Sequence, residues 1–320
     1  MSARAFVITA VVAMPFMGMD RFVPSPQAAA DQAMDVLQQA RAALGGDAKL
    51  NAVKALSLEG PFTREMGQRQ LEGTATLIIA PPDRMHRSEE TELPGGATLE
   101  RISALAGETA WDDVQNRGGM GGGNLQIMTQ QRGPGGQPMN EEALAQARAR
   151  RMKAELHRWL FALLAQSGQP PTYAGVAEAA EGKADVLELK DERGQAIRLF
   201  VDQQTHLPLM LNFQEMRPRM MFGGGRGPGG PGGRGRRGGG EPDSGPPPDR
   251  EAIRRQIEAQ GPPPPSAVSM YFSDYRAEGG VKIPHKITQS VDNQPSEEWT
   301  IEKVKVNPSV KPELFEKKSK

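Results

Sequence analysis

Ser269-Met270-Tyr271-Phe272-Ser273-Asp274-Tyr275-Arg276, then Gly279-Gly280, then Val281-Lys282-Ile283-Pro284-His285-Lys286-Ile287-Thr288: these residues lie in a run from Ser266 to Val306 that decides the fold class. After a polar break at Asp292-Asn293-Gln294-Pro295 the run resumes as Glu298-Trp299-Thr300-Ile301-Glu302-Lys303-Val304-Lys305-Val306. Aromatic and β-branched residues alternate with polar ones, and each break carries Gly, Asn or Pro, which is how consecutive antiparallel strands are written. Val281, Ile283, His285 and Ile287 fall on one face of the middle segment, and Lys282, Pro284, Lys286 and Thr288 on the other. Three strands cannot bury such a face alone, so the earlier chain must supply more sheet and a covering helix.

Working outward, the earlier chain does carry these elements. Asp31 to Leu44 places Met34, Leu37 and Leu44 on one helical face around Ala40, with Gly45-Gly46 as the stop. Asp47 caps a short second helix burying Leu50 and Val53. Strands are expected from Leu56 to Gly60 and from Leu71 to Ala80, then an exposed, charged strand from Arg84 to Thr91. Thr98 to Leu105 and Glu108 to Asp112 form a weaker hairpin anchored by Trp111. The longest helix runs from Glu141 to Gln166 behind an Asn140 cap, with Leu144, Met152, Leu156, Trp159, Leu160 and Leu163 at helical spacing. Its last turn, Trp159 to Leu164, is apolar almost all round, as expected of a helix end that is buried or that covers an apolar groove. Tyr173 to Ala179, Asp185 to Lys190, Ala196 to Val201 and Leu207 to Phe213 add four strands.

Two Gly-rich inserts, 117–138 and 222–265, interrupt this order and are read as disordered; 19 of the 27 residues from Phe222 to Pro248 are Gly or Pro, which leaves no core pattern there. At the other end, Met1-Ser2-Ala3-Arg4, an apolar run from Ala5 to Met14 and the small residues Ala28-Ala29-Ala30 read as a signal peptide over 1–30, with an uncleaved anchor as the alternative. The apolar run is shorter than the ~20 residues of a spanning helix. What remains, 31–320, is expected to be one domain, exported to the periplasm or secreted.

With 39 basic and 39 acidic residues the net charge is zero, so no global field steers the chain to nucleic acid. The absence of cysteine removes disulfides, thiolate metal sites and a cysteine nucleophile. His86, His157, His206 and His285 are far apart and in no metal-ligand spacing, so they are read as exposed or strand-face side chains. Asp112 and Asp113 are adjacent on a strand and point to opposite faces, so they cannot share a substrate proton. No nucleophile elbow, phosphate loop or His-Glu-x-x-His occurs. No enzyme, metal or cofactor is expected. The tract from Arg226 to Arg237 is similar to Arg-Gly segments that contact RNA, and in a neutral chain it is read as a solvated linker.

Several phrases occur in a fixed order: Ala43-Leu44-Gly45-Gly46, Leu199-Phe200-Val201-Asp202-x-x-Thr205-x-Leu207-Pro208, Tyr271-Phe272-Ser273-Asp274-Tyr275, Gly279-Gly280-Val281-x-Ile283-Pro284 and Glu298-Trp299-Thr300-Ile301. On these phrases the chain resembles the outer-membrane lipoprotein-sorting superfamily, the LolA/LolB-like proteins, with RseB-like envelope sensors as distant relatives. The resemblance implies an α+β fold: a curved antiparallel half-barrel whose concave apolar face is covered by helices and holds acyl chains. The expected ligand is therefore hydrophobic or acylated, with a membrane-associated protein as partner and no nucleic acid.

One sheet with few large aromatics has limited means of filling a concave face, which leaves room for a lipid. Trp159, Leu163, Leu211, Phe213, Tyr271 and Trp299 are the expected cavity walls, though each such residue is more often plain core than ligand wall. Met216, Met220, Met221 and Phe222, with Arg217 and Arg219 among them, form a pliable flank able to close over an acyl chain with an anionic head, or simply finish a strand. The rival reading is an envelope sensor or scaffold whose Arg/Gly/Pro-rich insert binds a partner.

Overall fold

The structure, a computed structural model, describes residues 26–67, 69–93, 96–117, 140–179, 182–191, 194–216 and 265–316. The expected signal segment apart from residues 26–30, the first insert beyond Arg117, the second insert apart from Pro265, and Met220, Met221 and Phe222 of the flank lie outside the described residues.

Among the described residues, thirteen strands form one antiparallel sheet. In chain order they are β1 (Leu56–Met66), β2 (Arg69–Ala80), β3 (Arg84–Leu93), β4 (Ala97–Ala106), β5 (Thr109–Arg117), β6 (Thr172–Ala179), β7 (Gly182–Lys190), β8 (Ala196–Asp202), β9 (Pro208–Glu215), β10 (Ser266–Glu278), β11 (Val281–Val291), β12 (Gln294–Thr300) and β13 (Lys303–Val306). Their order across the sheet is β5-β4-β3-β2-β1-β12-β11-β10-β9-β8-β7-β6, with β13 added on β1. The C-terminal run thus lies in the middle and joins two meanders, one from each half of the chain. Helices α1 (Pro26–Leu44), α2 (Asp47–Asn51) and α3 (Glu141–Leu164) complete the α+β fold. The sheet is open, with β5 and β6 at its two ends, and it curves around its helices as a twisted sheet of this width does.

The C-terminal run differs from its expected form in two places. The polar break shrinks to the two-residue turn Asp292-Asn293, both at positive φ (48° and 64°), and the strand resumes at once through Pro295. Paired positive φ values match the right-handed twist of a tight hairpin, and Asp and Asn tolerate them best after Gly. The third segment is two strands: β12 pairs with β11 and β1, and past Ile301-Glu302 the chain continues as β13 on β1 alone. Gly60 makes that crossing fit, because a Cβ there would lie 2.0 Å from the Thr300 carbonyl oxygen and 2.9 Å from the Glu302 nitrogen. Trp299 Nε1 donates to the Gly60 carbonyl at 3.0 Å across the same point.

Three further expectations are corrected. Arg84 to Thr91 is not an exposed strand: β3 lies between β2 and β4 and buries Met85, His86, Glu89 and Thr91. On α1 the buried seam is Ala33, Val36, Leu37, Ala40 and Leu44, and Met34 is 49% exposed; the small alanines let the helix approach the sheet closely. The strand expected from Leu207 to Phe213 begins at Pro208, and Leu209, though in phase with buried Leu211 and Phe213, is exposed at its mouth, beside the register shift between Phe200 and Val201. Helix α1 begins ahead of Asp31, so the expected cleavage point falls within it, and its buried contacts start only at Ala33.

Candidate functional site: the helix-covered face of the sheet

Chain connectivity places α3. The chain leaves edge strand β5 and must reach edge strand β6 at the far end of the sheet. A helix of 24 residues, about 36 Å long, covers most of that distance. It packs on β3, β4 and β5 at one side and on β8 and β9 at the other, while α1 packs on β6, β7 and β11. Both helices therefore lie on the concave face. Asn140 opens α3 by accepting a hydrogen bond from the Ala143 amide at 2.8 Å, and Ala165 ends it in the left-handed conformation at φ 47°. Arg41 of α1 donates to the carbonyls of Leu164 and Ala165 at 3.2 and 3.4 Å, so a cation sits where the helix dipole is negative.

Along each strand the concave face passes from an apolar zone to an ionic one, and the boundary runs obliquely to the register, since Leu77 of the apolar zone faces Arg87 of the ionic one. Toward one end of the strands the face is apolar: Leu58, Phe62, Leu77, Met85, Ile287 and Trp299 are all buried. Onto this zone the C-terminal half of α3 sets Met152, Leu156, Trp159, Leu160 and Leu163. Trp159 meets Trp299 edge to face, with ring centroids 6.3 Å apart and planes at 79°.

Five of the six expected wall residues, Trp159, Leu163, Leu211, Phe213 and Trp299, belong to this one buried cluster. The sixth does not. Tyr271 follows core residue Met270 on β10, so it points to the opposite, convex face, where it is half-buried opposite Met210. Met216 is 52% exposed at the end of β9. The expectation of an underfilled concave face is also corrected, since α3 fills it and Leu163 is 0% exposed.

Two residues further along the same strands, the face becomes ionic. Arg64 on β1 reaches Glu89 on β3 at 3.1 Å and Glu297 on β12 at 2.7 Å. Arg87 on β3 reaches Glu89 at 2.7 Å, Glu297 at 3.6 Å and Glu155 of α3 at 3.3 Å. Arg101 on β4 is the cross-strand neighbour of Glu89; it is exposed and has no ion pair within 4 Å among the described residues. Burial alone would raise the Glu89 carboxyl, but the guanidiniums of Arg87 and Arg64 outweigh it and hold it at about 2. Arg87 is shifted the other way: burial opposes its charge, and Glu89, Glu155 and Glu297 together hold it on.

This belt was legible only through its phase. Arg64 stands two residues from Phe62, Arg87 and Glu89 two and four from Met85, and Glu297 two from Trp299. Residues at even spacing from a core position share its face, whatever their charge.

More exposed pairs tie the N-terminal half of α3 to the sheet. Asp112 on β5 accepts from Arg148 at 2.8 Å and Arg151 at 3.3 Å, and Lys153 pairs with Glu108. At the other side Arg158 lies 4.0 Å over the Phe213 ring and 3.6 Å from Glu215. Asp112 and Asp113 do face apart, the latter accepting from Gln115.

On the convex face, the cross-strand row His86, Ala104 and Trp111 lies beside the C-terminal 3-10 turn Pro312–Phe315. Trp111 Nε1 donates to the Phe315 carbonyl at 2.8 Å, and at the β5 edge a hollow of about 430 Å³ opens between Trp111, Phe315, Thr109 and Arg148 of α3. His86 and His285 are strand-face and buried, His206 is half-buried and His157 exposed.

No family model matches the chain, and no curated protein matches it in sequence. Solved structures with a similar arrangement include a putative outer membrane lipoprotein-sorting protein domain from Vibrio parahaemolyticus, at 10% identity and a TM-score of 0.43, covering 89% of this chain and 97% of that one. A LolA superfamily protein from Nitrosomonas europaea gives 10% identity and 0.42 over 89% and 97%. A DUF1329 family protein from Desulfovibrio piger gives 9% and 0.41 over 91% and 97%.

Proposed function

We propose that the protein is an exported, periplasmic and non-catalytic carrier that binds a hydrophobic or lipidated ligand on the concave face of its sheet and hands it to a membrane-associated partner. The observation behind this reading is the cover itself. The apolar zone of the sheet is one continuous surface, and what covers it is a single helix, several of whose polar anchors, those at Asp112 and Glu108, are solvent-exposed ion pairs worth little each. Withdrawing Met152, Leu156, Trp159, Leu160 and Leu163 from that zone costs roughly 8–15 kcal/mol at ~1.5–3 kcal/mol per side chain. Burying a chain of about 16 methylenes at ~0.8 kcal/mol each returns about 13 kcal/mol. The two terms nearly balance, so an acyl chain can exchange with the helix reversibly, as handover requires.

The filled concave face also suits a second reading, an envelope sensor or scaffold in which the sheet is a rigid platform and a protein partner binds the Arg/Gly/Pro-rich insert. Native mass spectrometry of the protein purified from the periplasm without detergent separates the two. Adducts of lipid mass, lost in organic solvent, are expected of the carrier. A mass that stays clean after incubation with phospholipids and a lipopeptide would remove the carrier and leave the scaffold.

A further inference from the structure

The ionic belt has a charge count that depends on α3. On the sheet, the belt holds three guanidiniums, Arg64, Arg87 and Arg101, and two carboxylates, Glu89 and Glu297. The third carboxylate, Glu155, comes from α3 and meets the sheet at Arg87 Nη1. The flanking acids Asp112 and Glu215 are engaged with Arg148, Arg151 and Arg158 of the same helix. When α3 lifts to admit a chain, Glu155 leaves Arg87, and Arg148, Arg151 and Arg158 leave Asp112 and Glu215, so within the belt it is Arg87 that loses an acceptor, in a partly buried setting.

Resting on the carrier reading above, we infer that Arg64, Arg87 and Arg101 form a subsite for a phosphate-type oxyanion, where the anionic head of an amphiphile takes the place of Glu155 on Arg87. Arginine suits this exchange because its planar fork binds phosphate oxygens through two parallel hydrogen bonds. Position supports it as well. Arg64 and Glu297 stand two residues, about 7 Å, from Phe62 and Trp299 along their strands. A head held at the belt therefore starts its chain at the edge of the apolar zone, next to the Trp159–Trp299 pair. Arg101, exposed and without an ion-pair partner among the described residues, is the guanidinium most available to an incoming anion. No bond is made or broken; one anion replaces another.

The test is a titration of the purified protein with lysophosphatidylglycerol, dodecyl maltoside and inorganic phosphate. The two amphiphiles are kept below their micelle concentrations, and binding is followed by tryptophan fluorescence and native mass spectrometry. Lysophosphatidylglycerol is expected to bind at least tenfold more tightly than the maltoside and to be displaced by phosphate. The Arg101→Gln variant, a surface change that leaves the fold intact, is expected to weaken the lysolipid about threefold to tenfold and leave the maltoside unchanged. Glu155→Gln is expected to tighten the lysolipid alone.

Equal binding of both amphiphiles, or a Glu155→Gln gain shared by both, overturns the subsite while the carrier reading stands, with Glu155 then only a clasp on the helix. Phosphate binding that depends on Arg101, without binding of either amphiphile, keeps the oxyanion site and removes the carrier. Binding of none of the three overturns both.

Discussion

Glu89 is 7% exposed between two guanidiniums, and its protonation sets an acid limit on the fold. Its carboxyl titrates at about 2 in the folded protein against an ordinary 4.5. A folded value below the unfolded one means that the stabilisation is complete above pH 4.5 and is lost as the pH falls from there through 2. The loss is on the order of 3 kcal/mol. Urea unfolding between pH 7 and pH 2 is expected to show this decline in the wild type. Glu89→Gln should start lower at neutral pH, because it leaves buried guanidiniums short of an acceptor, and should decline less across the window. Equal slopes would mean that the belt's carboxylates do not set the acid limit. Gly60 acts at the same scale through space rather than charge. Gly60→Ala drives a Cβ into backbone that cannot rotate away, so a cost of roughly 3 kcal/mol is expected in thermal unfolding. Gly168→Ala, with nothing within 4 Å of its Cβ, serves as the control and should change little.

Helix α3 shows which elements a sequence discloses and which it hides. Its cap at Asn140 and its stripe from Met152 to Leu163 were legible because a 3.6-residue period and a capping side chain are local signals. Its span between opposite edges of the sheet was not, since that follows from strand order. Strand β3 failed for a related reason: Arg87 and Glu89 look like solvent residues until β1, β12 and α3 bring partners to them. Tyr271 failed through parity alone, one residue out of phase with Met270. The helix also gives a test at its own scale. Leu156→Ala deletes a fully buried side chain beneath it and is expected to cost about 2–5 kcal/mol in denaturant unfolding. If α3 is a displaceable cover, the same change should raise the affinity for a single-chain amphiphile, because less burial is given up on lifting; unchanged affinity would argue that the helix stays in place.

Across the whole molecule, the centre of the sheet is made by residues far apart in the chain: Phe62 faces Trp299, and Leu56 faces Val306. The two meanders on either side are local and were foreseeable strand by strand, whereas their seam was not, because antiparallel hairpin signals describe neighbours in sequence only. That seam also imposes a timetable. As the chain folds, β1 to β5 can pair in turn, and so can β6 to β11, but each half keeps a long open edge until β12 and β13 arrive. Because β12 and β13 follow both meanders in the chain, until they pair the two halves stand as unfinished sheets with unsatisfied backbone on the sides that will later meet. For such a chain, the interval before β12 and β13 pair is when holding chaperones matter most.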